Sequence, residues 1–338
     1  MHLETLALLR CVHSMDDTDR VCNGTLQAVD AEHVSCTRCA KRYALVAHIP
    51  HLLPAGVTDS DYLNDTIIQT YYEAHYAPFI QPSAAFALRL VHPQLKQRVD
   101  MLMPAFAAPA LAPHQTTRLE AIKLLASAEA LTEIFYQTIL DMCRPLIQPE
   151  MHVLDVGCGL GRMTGELARL GVQQVLGMDR SPRMVEEAAH ILRSREPLPI
   201  AMNLTGEARA FGVLHLDWSL DNVDFLVGDA QQIPLASNSF DLVTCLNVVD
   251  RVAQPAQMIK ELGRVLAPRG YVVIADPYHW DERYTPRSSW ISNMAELFNS
   301  DEWQLVQEVD GIPFVVRYDS RQVTIYMNHC QIYRKTCE

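Results

Sequence analysis

The sequence predicts an α/β protein built around a mostly parallel sheet, and three observations predict it. From Met151 onward, short apolar runs (HVLDVG, QVLGMD, DFLVGDA, FDLVTCLN, YVVIAD) alternate with helical stretches (RMTGELARLG, PRMVEEAAHIL, PAQMIKELGRVL). The runs are nearly continuous in apolar residues, as expected of strands covered by helices on both faces. The first run passes into a glycine-rich turn and then a helix, the arrangement that leaves a ligand site above the carboxyl ends of the strands.

The elements before this region differ in texture. The chain has 338 residues, enough for two or three domains. Four of its nine cysteines, Cys11, Cys22, Cys36 and Cys39, fall in the first 39 residues. In a reducing compartment such a cluster reads as a metal site before it reads as a disulfide framework. Residues 1–56 therefore form an expected first domain. Residues 57–147 are rich in Ala, Leu and aromatics and punctuated by prolines. Leu119, Ile122, Leu125, Leu131, Ile134 and Phe135 make one apolar face of a helix over Thr116 to Leu140. This region reads as a helical layer covering the third unit, residues 148–338. That unit ends in two neighbouring strands, Phe314–Val316 and Val323–Ile332.

Charge and hydropathy exclude several function classes. Twenty-eight basic against 40 acidic residues leave a net charge of −12, and Lys and Arg form no stripe. A phosphate-gripping nucleic-acid surface is not expected, and small substrates fit better. The longest near-apolar run, Ala105 to Ala112, holds eight residues, whereas a membrane helix needs about 18–20. No membrane partner and no secretory signal are expected, and the expected location is cytoplasmic.

The glycine turn carries the chemistry. Gly157-Cys158-Gly159-Leu160-Gly161 follows the first strand, which contains Asp155, and Asp179 ends the next strand 24 residues after Asp155. Glycines let the chain adopt angles that a β-carbon resists and let a ligand approach the main chain. An acid at the second strand end can accept both hydroxyls of a ribose. Asp229 and Ala230, at the third strand end, lie where an adenine would sit. As a set, DVGCGLGR, GMD and GDA resemble the class I S-adenosylmethionine-dependent methyltransferases from Met151 to Pro277. The resemblance implies a Rossmann-like core with a mostly parallel seven-stranded sheet. It also implies S-adenosylmethionine as cofactor, held by Asp155, Gly157, Cys158, Gly159, Gly161, Arg162, Asp179, Arg180, Asp229, Ala230 and Asn247.

A narrower set of residues points to an acceptor. Tyr71-Tyr72-Glu73-Ala74-His75-Tyr76, Asn247-Val248-Val249-Asp250-Arg251, Asp276-Pro277-Tyr278-His279-Trp280, Thr285-Pro286-Arg287 and Ile312 to Arg317 resemble the ovothiol-pathway methyltransferases, which methylate the imidazole of a mercaptohistidine. The insertion from about Arg195 to Asp221 has that family's placement. The resemblance implies N-methylation of a small thiol- or selenol-bearing histidine derivative. Asn247, Asp250, Tyr72 and His75 are the expected catalytic residues, and Tyr76, Arg251, Tyr278, Trp280, Phe314 and Arg317 the expected substrate contacts. An imidazole lone pair is already nucleophilic, so the site must orient the ring, keep it neutral and exclude water. A carboxylate on the second ring nitrogen is the expected device. Tyr72, His75 and Tyr76 also share one helical face, a spacing that suits packing equally.

Around the first cysteines, Leu8 to Cys11, Cys22 to Leu26, Cys36-Thr37-Arg38-Cys39 and Ile49 to Pro54 resemble the zinc-ribbon domains that accompany tRNA methyltransferases. Ten residues separate Cys11 from Cys22 where that family has two. Tetrahedral zinc tolerates a bulged loop because only the sulfur positions are constrained. The implied ligands are Cys11, Cys22, Cys36 and Cys39, with His13 a rival in the first pair. A ribbon before a class I core also suits a ribosomal- or transfer-RNA base methyltransferase, which the acidic balance opposes. A non-catalytic adaptor that binds S-adenosylmethionine would need a damaged cofactor site, and the motif residues are intact.

Overall fold

The structure, a computed structural model, describes residues 1–15, 20–57, 65–82, 128–205, 208–218, 220–298, 301–319 and 322–336. The chain begins with α1 (Leu3–Leu8) and the short pair β1 (Ser14–Met15) and β2 (Arg20–Val21), followed by β3 (Leu26–Ala28), β4 (His33–Cys36), β5 (Arg42–Val46) and β6 (Ile49–Leu52). Next come α2 (Asp65–Tyr76), β7 (Ile80–Pro82) and α3 (Ala128–Cys143). The second half of the helix expected over Thr116 to Leu140 lies in α3; its first half, and the run Ala105 to Ala112, fall outside the described residues.

The alternating region follows as expected: β8 (His152–Val156), α4 (Arg162–Arg169), β9 (Gln174–Asp179), α5 (Pro182–Arg193), the hairpin β10 (Leu198–Thr205) and β11 (Ala208–Leu214), β12 (Val223–Gly228), β13 (Phe240–Leu246), α6 (Pro255–Val265) and β14 (Leu266–Asp276). The chain closes with β15 (Trp303–Arg317) and β16 (Val323–Lys335). The expected insertion between α5 and β12 is thus the β10–β11 hairpin, and β7 pairs with its second strand, Val213 opposite Gln81.

The main sheet corrects one expectation. Its order is β15-β16-β14-β13-β8-β9-β12-β6-β5-β4-β3, eleven strands among the described residues and not seven. Five central strands run parallel, and β15 and β16 add the antiparallel end. The remaining four come from the first 52 residues. Strand β6 lies parallel to β12, with His51 opposite Val227 and Leu52 opposite Gly228. A seven-stranded sheet would leave β12 as a raw edge, and the N-terminal strands cover it.

Side chains alternate between the faces. Val153, Val175 and Val227 pack with Tyr76, Phe135, Leu167 and Val185 on one side. Leu154, Leu176 and Leu226 pack with Met258, Leu262 and the N-terminal residues Leu9 and Val34 on the other. Both faces are therefore dry, which is why the strands read as unbroken apolar runs. No described helix is long and apolar enough to cross a membrane.

Candidate active site

The glycine turn is built by close approach. Gly157, Gly159 and Gly161 have φ of +73°, +51° and +78°, and a β-carbon on Gly157 would lie 2.2 Å from Val248 Cγ2. The N–H groups of Gly157 and Cys158 donate to the Met178 carbonyl at 2.7 and 3.0 Å. Gly159 N–H donates to Asp179 Oδ2 at 3.0 Å, and Ser181 N–H to Oδ1 at 2.9 Å. The turn and the second strand end are thereby one rigid unit. Asp229 accepts Gln231 N–H at 2.8 Å at the third strand end.

Above these strand ends lies a cavity of about 650 Å³, within the range of small-molecule sites. Gly157, Gly159, Asp179, Arg180, Asp229 and Ala230 line one part of it. His75, Asn247, Asp250, Arg251 and Phe314 line the other. The structure thus brings eleven of the expected site residues around one space.

Three polar atoms in the second part lack a protein hydrogen-bond partner although buried: His75 Nε2, Asn247 Oδ1 and Asp250 Oδ2. A buried polar atom left unpaired is costly, and such atoms mark places where a ligand supplies the partner. Asn247 stands in the left-handed region, φ +58°, and its N–H donates to the Ala275 carbonyl at 2.7 Å. Burial raises the Asp250 carboxyl above the ordinary aspartate value, while Arg251, whose Nε lies 3.5 Å from Oδ1, opposes the shift. His75 pairs through Nδ1 with the Tyr136 hydroxyl. Burial and the Arg162 charge push its pKa down to about 3, so the ring is neutral.

Other expected contacts lie elsewhere. Asp155 sits beneath the turn and accepts Thr164 and Thr244 hydroxyls at 2.6 and 2.7 Å; burial raises it to about 6. Arg162 is fully buried, donates to Glu166, Glu133 and the His75 carbonyl, and lies 4.6 Å from the Phe79 and Tyr136 ring centres. It is held against the helical layer by the His75 carbonyl of α2 and by Glu133 and Tyr136 of α3, and it does not line the cavity. Cys158 and Gly161 pack inward, with a β-carbon on Gly161 meeting Ala188 at 3.0 Å. Tyr72 donates to Glu187 at 2.8 Å and Tyr76 to the Leu160 carbonyl at 2.8 Å. These two tyrosines, four residues apart, form the packing face of α2, whereas Tyr71 and His75, also four apart, face the cavity. Tyr278 binds His329, Trp280 donates to the Ile291 carbonyl at 2.9 Å, and Arg317 pairs with Glu73 at 3.4 Å. None of the three lines the cavity.

Residues not anticipated also line it, among them Tyr71, His279, Tyr284, Val316, Tyr318 and Tyr326. Two signals were available: Tyr71 lies one helical turn before His75, and Tyr326 lies out of phase with the alternating Val323, Ile325 and Met327.

The sulfur atoms of Cys11, Cys22, Cys36 and Cys39 all lie within 4.8 Å of one another, and His13 is not among them. Cys11–Cys39 and Cys22–Cys36 are 3.5 and 3.6 Å apart; four sulfurs at tetrahedral zinc distance stand about 3.8 Å apart. The N–H groups of Arg38 and Cys39 donate to Cys36 Sγ at 3.3 and 3.4 Å, which suits a thiolate. A β-carbon on Gly24 would come within 2.6 Å of that sulfur. The extra residues between Cys11 and Cys22 loop away as β1 and β2, with Ser14 opposite Val21.

Residues 154–274 match the family described as a methyltransferase domain. The chain is 30% identical over 134 residues to sterol 24-C-methyltransferase from Yarrowia lipolytica, covering 40% of this chain and 29% of that protein. It is 28% identical over 125 residues to the mitochondrial ubiquinone biosynthesis O-methyltransferase of Dictyostelium discoideum, covering 37% of this chain and 35% of that protein. The chain thus spans about a third of the length of these relatives. A solved S-adenosylmethionine-dependent methyltransferase from Methanosarcina mazei overlaps 58% of this chain and 98% of its own, at 18% identity and a TM-score of 0.43. Over this stretch the chain is therefore similar to methyltransferase domains.

Proposed function

We propose that this chain transfers a methyl group from S-adenosylmethionine to an imidazole nitrogen of a small thiol- or selenol-bearing histidine derivative. The observation that carries the reading is the set of three buried, unpartnered polar atoms, on His75, Asn247 and Asp250, beside the glycine turn. When bound, S-adenosylmethionine supplies an electrophilic methyl group on a sulfonium. Asp179 would accept its ribose hydroxyls, Asp229 and Ala230 would flank its adenine, and Gly157 and Gly159 would leave room for its methionine part.

The rest falls to the acceptor side. A flat ring between the glycine turn and Asn247 presents one nitrogen lone pair to the methyl group and donates its other N–H to Asn247 Oδ1 or Asp250 Oδ2. Positioning of this kind supplies most of the rate. When the ring gains the methyl group it becomes cationic, and Asp250 holds the proton that its N–H gives up. Burial favours that, because the carboxyl already binds protons more tightly than an ordinary aspartate. Tyr71, Phe314, Val316 and Tyr326 exclude water. Arg251, at the cavity wall, would pair with the substrate's carboxylate.

The four N-terminal thiolates fit one structural zinc ion, which would tie the first hairpins together and leave no open coordination position for chemistry.

The test is to incubate the protein with S-adenosylmethionine and, separately, mercaptohistidine, its selenium analogue, their trimethylated forms, histidine and ribosomal RNA, and to follow added methyl mass. A gain of one methyl on an imidazole thione or selenone is the expected result. A gain on RNA alone, or on none of them while cofactor binds, overturns the acceptor assignment.

A further inference from the structure

Tyr278 follows β14 with a left-handed backbone, φ +52°, a conformation that large side chains rarely adopt and that persists where the surroundings enforce it. The enforcement is visible at both ends of the residue. Its N–H donates to Asp276 Oδ1 at 2.8 Å, and the other oxygen of Asp276 accepts the Asp250 N–H at 3.2 Å. Asp276 is fully buried and does not line the cavity, so it acts as a bracket between the two loops.

At the other end, the Tyr278 hydroxyl accepts the Met294 N–H at 3.1 Å and lies 2.9 Å from His329 Nδ1. The Glu308 carboxylate beside Nε2 can only accept, which leaves Nδ1 to accept the tyrosine proton. His329 then carries its proton on Nε2, which donates to Glu308 Oε1 at 2.6 Å. Gln331 steadies the same Glu308 oxygen at 2.7 Å. Strand register sets this geometry: His329 stands opposite Asp276 across β14 and β16, and Glu308 opposite Gln331 across β15 and β16. A continuous chain of hydrogen bonds therefore runs from the antiparallel end of the sheet to the loop that presents Asp250.

We propose that Tyr278, locked by His329 and Glu308, is a positioning residue that sets the Asp276 bracket and, through it, holds Asp250 against the acceptor. The inference rests on the reading that Asp250 meets the acceptor. It gives Tyr278 a role different from the substrate contact that the resemblance implied: the ring serves as a strut, with its hydroxyl anchored in the sheet and its N–H aimed at the acid. Removing the hydroxyl alone leaves the packing of the ring and releases the strut.

The test compares Tyr278→Phe, His329→Leu, His329→Asn and Asp250→Asn with the unaltered chain in the presence of S-adenosylhomocysteine. Asparagine Oδ1 can stand where Nδ1 stood and accept the tyrosine hydroxyl. Amide hydrogen exchange at Asp250 and Tyr278 is expected to speed up about tenfold or more in Tyr278→Phe and His329→Leu, to stay near normal in His329→Asn, and to leave β8 and β9 unchanged. With mercaptohistidine as acceptor, kcat falls about tenfold in the first two variants while KM for S-adenosylmethionine holds. Unchanged exchange at Asp250 in Tyr278→Phe overturns the proposal, and so does faster exchange throughout the sheet. If mercaptohistidine is not methylated by the unaltered chain, the acceptor reading fails and the exchange data still decide the strut. If Asp250→Asn abolishes turnover and Tyr278→Phe does not slow it, the strut alone fails.

Discussion

The N–H of Asp250 donates to Asp276 Oδ2 at 3.2 Å, which places two buried carboxyl groups on neighbouring strand ends within one hydrogen-bonded unit. Burial raises both above the ordinary aspartate value, and like-charge repulsion from Asp250 raises Asp276 further. Only Asp250 also has an unpartnered oxygen turned into the cavity. The pair thus joins an interior acid that organises the loop to an outer one that can exchange a proton with a ligand.

Asp250→Asn is expected to lower kcat by about 100-fold, the lower range for loss of a positioned acid or base, with little change in KM for S-adenosylmethionine. Because the folded carboxyl titrates above the ordinary value, the acid limb of the rate profile lies at higher pH than for an exposed aspartate. Steady-state kinetics across pH measures both. A variant with normal kcat would remove Asp250 from the mechanism.

His75 is expected to stay neutral at every pH where the protein is folded. Its folded pKa, about 3, lies below the unfolded value of 6.5. The unfolded chain therefore binds the extra proton first, and the stability contributed by the neutral ring is complete above about 6.5 and is lost as pH falls toward 3. Nitrogen chemical shifts of labelled histidine check this. A His75 signal titrating near 6.5 would contradict the buried geometry.

Asp155 works in the opposite sense. Its folded value of about 6 exceeds the unfolded 3.8. The native state keeps a proton that the unfolded chain has released, so its stabilising contribution is full below 3.8 and disappears as pH rises through 6. A shift of this size corresponds to about 3 kcal/mol. Asp155→Asn is expected to flatten the fall in stability between those pH values. Denaturant melts at several pH values report the slope, and a parallel pH dependence in the variant counts against it.

The cysteine cluster and the Asp229 side of the cavity share a border. Arg10 N–H donates to the Pro234 carbonyl at 2.8 Å, Ala236 N–H to the Leu8 carbonyl at 2.9 Å, and Gln232 Nε2 to the Val12 carbonyl at 3.3 Å. Cys11 lies inside this stretch. Metal removal by a chelator is expected to lower the melting temperature and to weaken S-adenosylhomocysteine binding by about tenfold, with Gln232→Ala giving part of the second effect alone. Calorimetric titration before and after chelation, with metal content measured, tests it. Equal affinity in both states would separate the two regions.

Legibility in the sequence followed the period of the pattern. The parallel strands and the glycine turn were readable because unbroken apolar runs and a dense run of glycines have few structural alternatives. Asp179, Asp229, Asn247 and Asp250 line one cavity because they follow or end neighbouring strands, a placement that the strand pattern carries. Tyr72 and Tyr76 were assigned to the site although Tyr71 occupies it, since a helix with aromatics at consecutive positions does not declare which face turns inward. The eleventh-strand count was hidden because β6 joins β12 through main-chain bonds, which leave no mark in side-chain type. Tyr278, His329 and Glu308 meet only through the register of β14, β15 and β16, and register is a property of pairing, not of any one segment.

The pairing of β6 with β12 also governs the order of assembly. Leu52 and Val223 are 171 positions apart in the chain, and a ribosome adding about 5–20 residues per second needs roughly 10–35 s to span them. During that time Ile49–Leu52 emerges as a strand without its neighbour, and the first hairpins have only one another and their thiolates to hold them. Strands β15 and β16, made later, then close the opposite border. Nascent chains arrested before residue 223 would therefore expose a sticky edge to chaperones, while chains extended beyond β12 would not.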